Sequence, residues 1–127
     1  MYLAVHTMPD LSYSINLLSR FNSRPTNGAY QDALHILGYL SNIVNQGIVF
    51  PNMTEGKPLT IYFDADRAGD VETSRFTTGY IVYLWGAPIG WQLRPQPTVA
   101  MTTMEAEYIA AYAAFQEIVW IRWVRPS

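Results

Sequence analysis

A chain of 127 residues allows one domain or parts of two, and its lack of cysteine excludes disulfides and thiolate metal sites. Half of its residues are apolar and only 14% are charged, where about a quarter is usual, so much of the surface is suited to burial. The net charge of −2 argues against a broad nucleic-acid-binding face, though not against a local groove.

Residues 10–22 read as a short amphipathic helix. Pro9 precedes it, Asp10 is a candidate cap, and Leu11, Ile15, Leu18 and Phe21 share a face. Arg24-Pro25-Thr26-Asn27-Gly28 marks a turn or a helix entry. A second helix is expected from about Tyr30 to Val44, with an apolar stripe of Tyr30, Ala33, Leu34, Leu37, Leu40 and Val44 and with Gly47 beyond its end. His6 and His35 are too far apart in sequence to form a local ligand pair. The character of the chain changes at the polar, proline-bounded stretch Pro51–Pro58, which reads as a linker.

Beyond it the periodicity becomes that of strands. Leu59–Asp66 is the first strand, and Ala68–Arg75 a polar loop. Thr78–Trp85, rich in aromatic and β-branched residues, is the second. A turn at Gly86-Ala87-Pro88 leads to a third strand, Ile89–Arg94, which makes an antiparallel hairpin closed by Pro95-Gln96-Pro97. A long helix then runs from Thr102 to about Val124. Thr102 and Glu105 have the spacing of a capping box, in which hydroxyl and carboxylate satisfy free amides of the first turn. No apolar run is long enough for a membrane span, so no membrane partner is expected. The N-terminus has no basic segment followed by an apolar one, so the expectation is an intracellular chain, cytoplasmic or nuclear, and not a secreted one.

Two carboxylates stand out as chemistry. Asp64 falls within the first strand and shares a strand face with Asp66. Strand interiors disfavour aspartate. Either it is there to bind a cation, or the strand ends at Phe63 and the acids begin a loop. Glu107 lies near the start of the last helix. At about 100° per residue it shares a face with Ala110, Ala111, Ala114, Ile118 and Ile121, the face expected on the sheet. A buried lone carboxylate needs a partner or a metal. The bland alternative is an exposed acid favoured by the helix dipole. Hard oxygen donors of this kind suit a divalent cation. Glu105 is explained as a cap, and Asp70 and Glu72 as solvated loop acids.

Several segments together resemble the Pol polyprotein of Copia-type LTR retrotransposons. Tyr2-Leu3…Thr7-Met8-Pro9-Asp10-Leu11 is similar to a family motif that has arginine where Met8 stands. Leu18-Ser19-Arg20-Phe21, Ile36-Leu37-Gly38-Tyr39-Leu40 and Phe63-Asp64-Ala65-Asp66-Arg67-Ala68-Gly69-Asp70 follow, the last with Phe63 and Arg67 where the family has serine and tryptophan. Thr78-Gly79-Tyr80, Trp91, Gln96-Pro97-Thr98-Val99-Ala100 and Glu105-Ala106-Glu107-Tyr108-Ile109-Ala110 complete the series in order.

The resemblance implies an α+β or α/β chain. Residues 1–50 would be a helical C-terminal segment of the reverse transcriptase, thumb- or connection-like, and 51–58 a linker. Residues 59–125 would be a partial ribonuclease H-like domain of three antiparallel strands and a long helix. It also implies cleavage of RNA in RNA–DNA hybrids by two-metal hydrolysis, with Asp64 and Glu107 as catalytic metal ligands and Mg²⁺, or Mn²⁺ in its place, as cofactor. The remainder of the Pol polyprotein is the implied partner. No acid follows Glu117, so the family's third aspartate has no counterpart here, and the segment around Trp91 lacks the family's lysines. The alternative to an enzyme is therefore an inactive remnant that self-associates or binds proteins.

Overall fold

Thr26, in extended conformation, starts the best-defined helix of the N-terminal half by accepting the backbone N–H of Ala29 at 3.1 Å. The computed structural model describes residues 2–51, 58–67 and 75–124. The chain divides into two units, Met1–Val49 and Phe50–Ser127. The first contains α1 (Tyr2–His6), a 3₁₀ turn (Pro9–Leu11), α2 (Ser12–Ser19) and α3 (Asn27–Asn42).

The helix expected over 10–22 is therefore shorter and follows a 3₁₀ turn that has Pro9 in its first position. Asp10 does not cap it. Its carboxylate instead accepts the Tyr39 hydroxyl from α3. Ser12 ties α2 to α1 by donating to the Ala4 carbonyl at 2.9 Å, above a small core of Ala4 and Leu11. The expected α3 stripe is rotated. Ala29 is buried, and Ala33, Ile36, Leu40 and Ile43 are half-buried, whereas Tyr30, Leu34, Leu37 and Val44 face solvent. The helix carries two apolar stripes, and α2 is too short to cover more than one.

In the second unit β1 (Leu59–Asp66), β2 (Thr77–Leu84) and β3 (Ala87–Pro95) form an antiparallel sheet in the order β1-β2-β3, followed by α4 (Thr103–Val124). The α+β organisation read from the sequence is the one observed. β1 pairs with β2 without a break, Asp64 opposite Gly79 and Phe63 opposite Tyr80. The β2–β3 turn lies one residue earlier than expected, at Trp85 (φ 51°) and Gly86 (φ 83°). Two left-handed residues in succession give the turn twist that hairpins favour. Trp85 takes this conformation at a cost of about 1–2 kcal/mol for a residue with a Cβ. Residues 52–57 and 68–74, which hold most of the expected linker and polar loop, lie outside the described residues.

The start of α4 follows the expected capping box. Thr102 Oγ1 accepts the Glu105 N–H at 3.1 Å, and Glu105 accepts the Met101 N–H at 2.7 Å. Its buried stripe is Ala106, Ala110 and Ala114, one residue per turn. These small side chains let α4 lie close on β1 and β2, over Val82, Phe76 and Ala100. α4 is also apolar beyond this stripe: Tyr108, Tyr112 and Phe115, which line a groove with Ile61 and Phe63 of β1, and Trp123 are all exposed. A helix apolar over this much of its surface is built to be covered. No helix among the described residues is long and apolar enough to cross a membrane.

Candidate functional site

Strand alternation decides where the candidate acids point. Ala65 packs against the Phe76, Ala100 and Ala106 cluster, and Ile61 and Phe63 line a groove with α4, so the odd residues of β1 face the helix. Asp64, with Tyr62 and Asp66, therefore takes the opposite face of the sheet. The strand does run through it, as one of the two sequence readings held. It is exposed, beside a glycine on β2 that puts no side chain across from it.

Glu107 is exposed as well. The face expected on the sheet does pack there, with Ala110 and Ala114 buried and Ala111, Ile118 and Ile121 half-buried, but the expected burial of Glu107 itself is corrected: in the first turns of the helix it lies in solvent. Its environment is that of an exposed acid near a helix N-terminus. Among the described residues neither carboxylate has a hydrogen bond or an ion pair, and no three potential ligands from His, Cys, Asp and Glu come together. The structure thus presents Asp64 and Glu107 as exposed oxygen donors. Asp70 and Glu72 lie outside the described residues.

Two polar side chains to which the sequence reading gave no role are drawn inward by the fold, Gln96 fully and Glu117 in part. Gln96, only 1% exposed, was read as part of a closing turn between two prolines. Its backbone N–H donates to Phe76 O at 2.7 Å. Its Nε2 donates to Thr78 Oγ1 and to the Ala106 carbonyl, both at 2.9 Å. A carbonyl can only accept, so this contact also fixes which way the amide points. One side chain thereby joins the end of β3, the start of β2 and the first turns of α4. Its Oε1 is buried without a partner among the described residues.

Glu117 is the second. Ten residues beyond Glu107, it sits half-buried on the sheet side of α4 and accepts the Tyr80 hydroxyl at 3.4 Å. Burial, together with the charge of Glu117, raises the Tyr80 phenol above its usual range, and Arg94 opposes the shift. The signal for Glu117 was present in the sequence: it follows Ala106, Ala110 and Ala114 at helical spacing.

Comparison with known proteins places this geometry in a lineage. The chain is 41% identical to the retrovirus-related Pol polyprotein from transposon RE1 of Arabidopsis thaliana, over 94% of its own length and 8% of the polyprotein. It is 35% identical to that from transposon TNT 1-94 of Nicotiana tabacum, over 96% of its own length and 9% of the polyprotein. The chain belongs to the Pol family of Copia-type retrotransposons. It spans less than a tenth of these Pol polyproteins. A third relative is much shorter. The secreted RxLR effector protein 161 of Plasmopara viticola is 41% identical over 95% of this chain and 84% of that protein. No family model and no solved structure matches the chain.

Proposed function

We propose that this Pol segment comes from a retrotransposon reverse transcriptase/ribonuclease H that cleaves the RNA of RNA–DNA hybrids. In this reading residues 1–50 are the helical end of the polymerase, and residues 59–125 are the beginning of the ribonuclease H unit. The reading rests on one observation above the rest: identity to Pol polyproteins along nearly the whole chain. A strand carrying Asp64, two further antiparallel strands and a helix carrying Glu107 agree with it in order.

Mg²⁺, or Mn²⁺, is the cofactor of this proposal, and Asp64 and Glu107 are the ligands this chain would contribute. Their chemistry suits a hard cation, but their number and placement do not fit one held by this chain alone. Such ions take at least six oxygen ligands, and a two-metal site needs several shared carboxylates. No hydrolytic step follows from these residues by themselves. The remainder of the polyprotein, which spans the other nine-tenths, is the proposed source of further ligands and of the grip on the hybrid.

A second reading has its own observation. The Plasmopara viticola relative consists almost entirely of this segment, so the segment also occurs as a chain of its own. In this reading the present chain is an inactive remnant that acts as a self-associating or protein-binding module.

Hybrid cleavage separates the two. The 127-residue chain is expected not to cut a labelled RNA–DNA hybrid in Mg²⁺ or Mn²⁺. The chain extended by the following part of a relative's Pol polyprotein is expected to cut it, and Asp64→Asn to abolish the cut. An extended, folded chain that stays inactive, or one that Asp64→Asn leaves unchanged, removes the enzymatic reading.

A further inference from the structure

The sheet has two edges, and they differ in kind. β3 contains Pro88, Gly90 and Pro95, and the β2–β3 register slips between Val82 and Tyr83, so Ile89 is the extra residue of a bulge. Such an edge pairs poorly with another strand. β1 has none of these features. Its eight residues, Leu-Thr-Ile-Tyr-Phe-Asp-Ala-Asp, contain no proline, glycine or lysine and run in unbroken register with β2. Among the described residues its outer side is unpaired. Beside it a groove of about 430 Å³ is lined by Ile61 and Phe63 from β1 and by Tyr108, Ala111, Tyr112 and Phe115 among the residues of α4.

We infer that β1 pairs antiparallel with β1 of a second copy of this chain, on a two-fold axis at Tyr62. This inference does not rest on the nuclease reading. The sequence of β1 is self-complementary in that register and in few others. Antiparallel partners share a face, so the axis must pass through a residue and not between two. An axis at Tyr62 sets Ile61 against the second copy's Phe63 and Leu59 against its Ala65, which gives one apolar row on the helix side. On the other face Thr60 meets Asp64, and the acids of the two copies lie at opposite ends of the ladder. An axis at Asp64 would set like charges directly opposite, which is destabilising. An axis at Phe63 would bring the two Asp64 side chains to diagonal positions. An axis at Ile61 would pair only the five residues Leu59–Phe63 of β1, against the seven residues Leu59–Ala65 paired by an axis at Tyr62.

The helices agree with this geometry. α4 packs on β1 and β2. A dyad beside β1 puts both helices on the same face of a six-stranded sheet. With strands about 4.8 Å apart, helices lying over the β1–β2 interval come about 10 Å from each other, the spacing of directly packed helices. Tyr108, Tyr112 and Phe115, exposed at 71%, 65% and 63%, overhang that junction and would meet their counterparts. The two grooves would close into one apolar core.

The chain has no cysteine, so a single introduced one reports only on a contact between copies. Opposed residues at the dyad have Cα atoms about 4.5–5.5 Å apart, within disulfide reach. Tyr62→Cys should therefore oxidise to a covalent dimer. Thr60→Cys, displaced by about 13 Å from its own counterpart by the strand rise, should not. Sedimentation of the wild type should show twice the 14.4 kDa of one chain, falling to one chain for Phe63→Lys with unchanged far-UV circular dichroism. A wild type that sediments as a monomer overturns the inference, and β1 then awaits a different partner. Equal oxidation of Tyr62→Cys and Thr60→Cys, or growth beyond two chains, also overturns it.

Discussion

Replacing Gln96 with leucine is the sharpest test of how the second unit is held together. The substitution keeps an apolar body of similar bulk between β2, β3 and α4 but removes two donated hydrogen bonds, to Thr78 Oγ1 and to the Ala106 carbonyl. Each such bond contributes about 1 kcal/mol net. The Ala106 carbonyl keeps the ordinary helical bond from four residues on, so its loss is the smaller one. The Thr78 hydroxyl, 2% exposed, loses a partner at a further cost of about 1 kcal/mol or more. Against this, leucine removes the buried, unpartnered Oε1, which returns about 1 kcal/mol. The balance is a loss of about 2 kcal/mol. All four tryptophans, at 85, 91, 120 and 123, lie in the second unit, so their fluorescence reports its unfolding separately from the first. With a urea slope of about 1 kcal/mol per molar for a unit of this size, the midpoint should fall by about 2 M. Gln96→Glu should cost more, because a carboxylate has no donor for the Ala106 carbonyl and would be buried charged. A leucine variant as stable as the wild type would refute the view that this amide joins the three elements.

Three further outcomes can be measured. Tyr80 should titrate above an ordinary tyrosine, chiefly because it is buried, and its side-chain NMR signals should show this, with Glu117→Gln lowering the midpoint. Its folded value is raised, so the stability linked to it is fully present below the unfolded value near 10 and is lost only as pH rises through the folded value. From neutral pH up to that unfolded value, the stability difference between Tyr80→Phe and wild type should therefore be constant. Thr26→Ala removes the cap of α3 and should cost the first unit about 1 kcal/mol, read from its amide exchange, while the tryptophan transition stays in place. Gly86→Ala should destabilise the hairpin by about 1 kcal/mol in the tryptophan transition, since a Cβ is strained at its φ of 83°.

Local patterns made much of this chain legible. β1 begins and ends where alternation and β-branched residues place it, and the capping box at Thr102 and Glu105 marks the start of α4, because both depend on neighbours a few residues away. The units divide at Val49 and Phe50, and all three strands lie in the second. Which face of an element is buried was another matter. α3 carries two apolar stripes, and only the position of α2 selects Ala29, Ala33, Ile36 and Leu40 over Tyr30, Leu34 and Leu37. On α4 the period did pick out the face that packs, with Ala110 and Ala114, but not that Glu107 near the helix start would stay in solvent. Partners distant in the chain likewise hid the roles of Gln96 and Glu117. A glutamine between prolines reads as a turn until the sheet and helix close over it and require its amide. The sequence by itself determined the order and type of the elements from α3 onward, the Pol ancestry carried by motifs in series, and the two candidate carboxylates. Tertiary structure alone decided that Asp64 and Glu107 lie in solvent while Gln96 is sealed inside. Burial is a property of what packs against a residue, and the packing partners here are distant in the chain.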